Sequence, residues 1–377
     1  MSQMKKITKE LLSLGDVKIG GSRDWDVQIH NDQLYSRIIK ESSLGLGESY
    51  MDGWWDCKAL DQFFDRLLKA KIDQKVKNNV RIFASLVSSK FLNLQNRKRS
   101  QKVADIHYNL DNDLYTKMLG PTMAYTCGYY KNTDNLDEAQ IAKYELVCQK
   151  LQLKEGEKVL ELGCGWGGFA KYAAKNYGVH MTSVNISKEQ VKFATDFCKG
   201  LPVEFHLCDY RDDNVYNSKG IRFDKAVSIG LCEHVGHKNY KDFMKTVSRN
   251  LKQHGLFLLH TIGSNKSMTT LDAWIHKYIF PGGLLPSEQQ LSRAHERYFI
   301  MEDWHNFGTH YDKTLMAWYK NFIQSWDEIK DRYDERFFRM WSYYLLSCAG
   351  MFRARDAQLW QIVLSKDGIL GGYSSIR

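Results

Sequence analysis

The sequence predicts an α/β fold: a mostly parallel sheet covered by helices on both faces, preceded by a smaller α+β region. Two observations carry that expectation. From Lys158 onward, short apolar runs rich in branched residues alternate with helical segments, the pattern that places consecutive strands side by side with helices over them. The first of these runs ends in a glycine-rich turn, "ELGCGWGG", that leads straight into a helical segment. Such a turn brings backbone close to a ligand at the carboxyl end of a strand.

Taken in order, the region up to about residue 100 holds strand-like pieces, "DVKI" and "WDVQIH", and a helical piece, "NDQLYSRIIKES". Leu60, Phe63, Phe64, Leu67, Leu68 and Ile72 then fall at helical spacing, and Val76, Val80, Phe83, Val87 and Leu94 continue the pattern. The ordinary reading is two amphipathic helices packed on a core; the other is a basic, lipid-facing surface. Beyond Lys158 the expected strands are "KVLELG", "HMTSVNIS", "VEFHLCDY", "FDKAVSIG" and "LFLLHTIG", with helices such as "KEQVKFATDFCKG" and "NYKDFMKTVSRNL" between them. The aromatic end of the chain is expected to supply further helices and a closing strand, "LWQIVL". The division that follows is residues 1–100, a lipid- or membrane-interacting domain, and 101–377, a catalytic domain.

Composition narrows the setting. With 377 residues, 43% hydrophobic content and four prolines, the chain should be fully folded and large enough for more than one domain. The start, "MSQMKKITKELL", lacks an apolar stretch behind its charges, and no apolar run approaches the roughly 18 to 20 residues that span a bilayer. A cytoplasmic protein is expected. Its eight cysteines show neither a C-x-x-C pair nor metal-ligand spacing, which reads as free thiols and no metal site. The net charge of +9 is concentrated: residues 58–102 hold twelve Lys or Arg against three Asp, and the rest of the chain carries 41 charges of each sign. A block of that kind implies an anionic partner, a membrane surface or nucleic acid.

Gly163, Gly165 and Gly168 also satisfy the spacing of a nicotinamide-binding turn. That fold needs an acidic residue at the end of the second strand to hold the ribose hydroxyls. Here the strand ends in "VNIS", with Asn185, Ser187 and later Gln190. Glu161 stands two residues before Gly163, and Asp209 and Tyr210 follow the third strand. An acid before the glycine turn, polar groups after strand two and an Asp after strand three resemble a class I S-adenosylmethionine methyltransferase. On that resemblance Gly163 and Gly165 let backbone approach the methionine portion, Asn185 or Gln190 holds the ribose, and Asp209 meets the adenine edge.

Longer stretches carry a closer resemblance. "SSLGLGESYMDGWW", "HYNLDNDLY", "LELGCGWGG", "CEHVGHKNY", "FLLHTIGS", "KYIFPGGLLPS", "EDWHNFGTHYDKTLMAW" and "CAGMFRARDAQLWQ" are similar to the cyclopropane fatty acid synthases, from about Ser42 to about Ser365. The resemblance implies transfer of a methylene group from S-adenosylmethionine to the cis double bond of an unsaturated acyl chain in a membrane phospholipid. It also implies a bound bicarbonate as base, contacted by Cys127, Glu233, His260, Ile262 and Tyr311, and a cofactor covered by Tyr125 and Thr126, with Trp166 packing over it. Glu233 and His260 follow as well from topology, because they are expected at the carboxyl ends of the fourth and fifth strands. Two positions depart from the family's usual form: Asp111 stands where Gly is common, and Asn185 where Thr is common. Asp tolerates the left-handed turn that Gly would adopt, and Asn still offers hydrogen bonds.

The resemblance further implies a homodimer attached peripherally to the inner face of the cell membrane, with phospholipid rather than nucleic acid as partner. Headgroups would attract each Lys or Arg of the basic block by about 1 kcal/mol near the surface. Three other functions compete: an RNA methyltransferase that uses "NRKRSQK" on phosphates, a methyltransferase that adds the methyl without closing a ring, and a non-catalytic membrane-surface protein.

Overall fold

The computed structural model describes residues 3–71, 112–218 and 220–377. Residues 72–102 of the basic block, with Arg97, Lys98 and Arg99 and the expected helix positions Ile72, Val76, Val80, Phe83, Val87 and Leu94, and also His107 and Asp111, lie outside the described residues. Contacts divide the chain into two compact units. One comprises Met1–Leu92, Asp272–Pro281 and Asp312–Ala357; the other comprises Asn93–Leu271, Gly282–Tyr311 and Gln358–Arg377. Two later segments therefore pack with the N-terminal residues, and no Pro/Gly/Ser-rich linker in the sequence marks where they do so.

In the first unit, helix Leu60–Lys69 packs against helix Glu335–Arg353. Arg353 fixes the pairing through charge: its guanidinium donates to Asp61 at 2.6 Å and to Asp312 at 2.8 Å. The strand-like "WDVQIH" yields a two-residue strand, β1 (Gln28–Ile29), antiparallel to β2 (Trp55–Asp56). Helix Leu34–Met51 is broken at Ser42, which adopts φ 52°. Trp274 and Tyr343 meet with ring centroids 4.5 Å apart.

The second unit is built on a seven-stranded sheet. Its strands are β3 (Lys158–Leu162), β4 (His180–Asn185), β5 (Val203–Leu207), β6 (Phe223–Ile229), β7 (Leu251–Ser264), β8 (Ile300–Asn306) and β9 (Ala357–Ser365), in the spatial order β5-β4-β3-β6-β7-β9-β8. The pairs β3–β4, β4–β5, β3–β6 and β6–β7 are parallel, and β8–β9 is antiparallel. Side chains alternate between two cores, as burial on both faces demands. Val159, Leu256 and Leu258 enter one core, while Leu160, Phe257 and Leu259 enter the other.

β8 falls in the stretch expected to be helical. It is an edge strand whose Ile300 and Met301 are 52% and 49% exposed, so it lacks the buried apolar run that marks the inner strands. Chain order reverses at β3, which has β4 on one side and β6 on the other. Ligands bind at such a switch point, beyond the carboxyl ends of the strands.

Candidate active site

The glycine turn is shaped by backbone conformation. Gly163 takes φ 83°, a left-handed value that side-chain-bearing residues avoid. Gly168, the first residue of helix Gly168–Tyr177, is needed for close packing: a Cβ there would lie 2.4 Å from both the Thr122 carbonyl oxygen and Tyr144 Oη. The helix N-terminus thereby sits directly behind the turn.

A pocket opens beyond the carboxyl ends of β3, β4, β5 and β6, and all ten residues expected to bind the cofactor line it. Glu161, Gly163, Gly165 and Trp166 come from β3 and its turn, Asn185 and Gln190 from the end of β4 and the helix behind it, and Asp209 and Tyr210 from the end of β5. Tyr125 and Thr126 close the pocket from the segment upstream of the sheet. Tyr115 links these parts, with its ring 5.3 Å from Tyr125 and 4.8 Å from Trp166.

The polar residues of the wall are held in place. Asn185 Nδ2 donates to Gln190 Oε1 at 2.8 Å and to the Gly165 carbonyl at 3.2 Å, while its Oδ1 accepts from the Ser187 N–H. Ser187 in turn caps the helix that carries Gln190. Asp209 is held by Arg211: its Oδ1 accepts from the Arg211 backbone N–H at 3.0 Å and from Nε at 2.7 Å, and its Oδ2 accepts from Nη2 at 2.5 Å. Glu161 accepts from Ser183 Oγ at 2.7 Å, and its burial pushes the carboxyl up to about 7. His234, which the sequence reading passed over, also lines the pocket, and burial lowers its imidazole to about 4.

The five residues expected around a bicarbonate do not line this pocket. They stand next to residues that do. Cys127, fully buried, follows Thr126, and Glu233 precedes His234. His260 pairs in register with Ile229 of the pocket wall, one interstrand spacing of about 4.8 Å away. The Ile262 N–H donates to Glu233 Oε1 at 2.7 Å, so it holds that carboxyl in place. Tyr311, also buried, lies just beyond Phe307, whose ring is 6.0 Å from that of His260.

Within this second locus, polar groups are buried without being satisfied. Glu233 Oε2 and His260 Nε2 have no hydrogen-bond partner, and burial raises the Glu233 carboxyl to about 7 even though the Ile262 N–H lowers it. The imidazole is oriented by Gln361 rather than by Glu233: Gln361 Nε2 lies 3.3 Å from His260 Nδ1. Burial first, then the charges of Lys143 and Lys150, hold His260 well below its ordinary range and so neutral. When the Gln361 amide nitrogen donates to Nδ1, the neutral ring carries its proton on Nε2, and both that nitrogen and Gln361 Oε1 are left without a partner.

Helix Leu136–Lys150 closes this side. Asn135 caps it by accepting from the Asp137 and Glu138 N–H groups. From its inward face Gln140 donates to the Thr126 carbonyl and Lys143 donates to Thr126 Oγ1, each at 2.8 Å. Neither residue was singled out from sequence. Among the described residues no group of three or more His, Cys, Asp or Glu could hold a metal ion, and no helix is long and apolar enough to cross a membrane. All eight cysteines are free.

Comparison with known proteins agrees with this geometry. The chain is 51% identical over 361 residues to the cyclopropane-fatty-acyl-phospholipid synthase of Escherichia coli K12, covering 96% of this chain and 93% of that one. The cyclopropane synthase MmaA2 from Mycobacterium tuberculosis superposes with a TM-score of 0.65 at 28% identity, covering 73% of this chain and all of that one. The mycolic acid cyclopropane synthase CmaA1, solved with S-adenosylhomocysteine and CTAB, gives 0.64 at 29% identity, covering 71% and 98%. The fold is thus the Rossmann-like fold of the class I S-adenosylmethionine methyltransferases. With residues 95–362 matching the model of the mycolic acid cyclopropane synthetases, the chain that forms this pocket and the polar locus beside it belongs to that family.

Proposed function

We propose that this protein transfers a methylene group from S-adenosylmethionine to the cis double bond of unsaturated acyl chains in membrane phospholipids, forming cyclopropane fatty acids. The observation that carries this reading is the pairing of two loci: a pocket with the chemistry of an adenosine and methionine site, and, one strand away, a buried set of unsatisfied polar groups. An ordinary methyltransferase needs only the first. Ring closure needs the second as well, because a proton must leave the carbon just added.

In the first step the alkene's π electrons form a carbon–carbon bond to the methyl while its bond to sulfur breaks, leaving S-adenosylhomocysteine and a carbocation. The alkene is a poor nucleophile, so alignment and exclusion of water matter most. In the second step the added carbon loses a proton, and the electron pair of that C–H bond closes the ring. A bicarbonate, when bound, supplies the base for that proton.

The polar locus fits such an ion. His260 Nε2–H is a donor for an anionic oxygen, and Glu233 Oε2 is an acceptor for an O–H group. The Ile262 N–H keeps Glu233 turned to that task, and Cys127 and Tyr311 complete the set. On the cofactor side, Asn185 and Gln190 position the ribose, Asp209 the adenine edge, and Tyr125 with Thr126 the sulfonium end.

The test is to incubate the protein with S-adenosylmethionine and vesicles of a cis-monounsaturated phospholipid, then analyse the released fatty acids by mass spectrometry and proton NMR. A gain of one CH₂ with loss of vinyl protons is expected. The same gain with vinyl protons retained would reject ring closure, and an unchanged lipid in the presence of bound cofactor would reject the lipid substrate.

Attachment to the bilayer is part of the same proposal. Residues 58–102 supply the charge for anionic headgroups, and a homodimer would present two such segments, multiplying weak contacts by avidity. Reversing charge at Arg97, Lys98 and Arg99 should release most of the protein from sedimented anionic vesicles at low salt. Unchanged sedimentation would place the attachment elsewhere.

A further inference from the structure

We propose that Lys143 is the counter-charge of the anion site, a positioning residue that draws bicarbonate into the buried locus and holds it there. This rests on the bicarbonate reading given above and extends it to a residue outside the expected set.

The geometry of the lysine carries the inference. Lys143 is completely buried on the inward face of helix Leu136–Lys150. Among the described residues its ammonium has no carboxylate partner: it donates to Thr126 Oγ1 at 2.8 Å and lies 4.4 Å from the ring centroid of its neighbour Tyr144. The other buried lysine on the helix differs in that respect. Lys150 Nζ is 3.0 Å from His305 Nδ1 and 3.7 Å from Asp303 Oδ2. A buried cation without a counter-ion is costly, and no carboxylate among the described residues offsets that cost for Lys143.

What surrounds it is suited to an anion. The hydroxyl that fixes the ammonium belongs to Thr126, the residue before Cys127, and the charge acts on both the Cys127 thiol and the His260 imidazole. His260 Nε2 is an unsatisfied donor. Without Lys143, the donors there would be neutral, while Glu233 brings a carboxyl that opposes an anion whenever it is ionised. A neutral imidazole and a thiol are weak means of taking bicarbonate out of water. Burial lowers Lys143 to about 7, and an anion bound beside it favours the ammonium form; that charge changes the balance, since a hydrogen bond to a charged group is roughly twice as strong as a neutral one.

Lys143→Met replaces the ammonium with an unbranched apolar side chain of similar length, and Lys143→Gln serves the same comparison if the Met variant does not accumulate as folded protein. Both are assayed as the full chain in carbonate-depleted buffer with added bicarbonate. The concentration of bicarbonate giving half-maximal ring formation should rise roughly tenfold to a hundredfold, with a smaller fall in S-adenosylmethionine affinity, because Lys143 also holds Thr126 of the pocket wall. Lys143→Arg, which keeps the charge, should recover part of the loss. The thermal midpoint of the neutral variants should match or exceed that of the native chain, because removing a buried unpaired charge relieves its desolvation.

A neutral variant with native bicarbonate dependence overturns the role of Lys143 and leaves the bicarbonate reading standing. A fall in thermal midpoint with native bicarbonate dependence also overturns it, marking the lysine as structural. If the native protein forms rings at full rate without bicarbonate, the bicarbonate reading fails and this inference fails with it.

Discussion

His260→Leu should lower the rate of cyclopropane formation on the order of a hundredfold to ten-thousandfold, the range for loss of acid–base chemistry. The leucine fills most of the ring's volume but removes His260 Nε2, a buried nitrogen without a hydrogen-bond partner in the protein. His260 does not line the cofactor pocket, so equilibrium binding of S-adenosylmethionine should change by less than about threefold, a split that a merely structural histidine would not produce. Measuring ring product and S-adenosylhomocysteine separately locates the block. If the cofactor product still appears while rings do not, methyl transfer proceeds and the cation loses its proton elsewhere, giving open-chain products visible by NMR. If both fall together, the anion also organises the first step. Native ring formation in the variant would remove His260 from the mechanism.

The sequence made the pocket legible because topology fixes where it must be. Once apolar runs are recognised as strands of a parallel sheet, their carboxyl ends become the places to search, and Glu161, Asn185 and Asp209 follow from chain position alone. All three line one pocket. The second locus is less legible. Glu233 lies just past the end of β6, whereas His260 lies four residues before the end of β7, which runs on to Ser264; only resemblance to a family pointed to Cys127 and Tyr311.

Lys143, Gln140 and Gln361 were missed for a related reason. Lys143 lies four residues after Ala139 and four before Val147, both buried, so it occupies the apolar stripe of its helix. A lysine there is ordinarily read as reaching past the stripe to solvent, and the packing that prevents this comes from distant parts of the chain. Gln361 is likewise hidden in the apolar run "LWQIVL". In each case a polar residue at a core position was the available signal. The grouping of Asp272–Pro281 and Asp312–Ala357 with the N-terminal residues left no such trace, because amphipathic helices show that they are buried without showing against what.

Glu161 should oppose stability and binding to one another, and Glu161→Gln should separate them. Burial raises this carboxyl from 4.5 to about 7, so keeping it ionised in the folded chain costs on the order of 3 kcal/mol well above that pH. The sign follows from the raised value: the stability it allows is fully present below about 4.5, where both states are protonated, and is lost as pH rises through about 7. The glutamine keeps an acceptor for Ser183 Oγ, which now donates to Glu161 Oε2, but never ionises. Without cofactor, the thermal midpoint of Glu161→Gln should therefore exceed that of the native chain by a margin that grows from pH 5 to pH 8. S-adenosylmethionine carries an ammonium and a sulfonium, both of which favour the ionised carboxyl on the pocket wall. Its affinity for the variant should fall by about tenfold to a hundredfold at pH 8, and by less near pH 6, where the native carboxyl is itself mostly protonated. A carboxyl serving only structure would lose stability on substitution and leave affinity unchanged. The opposite pair, gained stability with lost affinity, is what a group held at a conformational cost for its ligand produces.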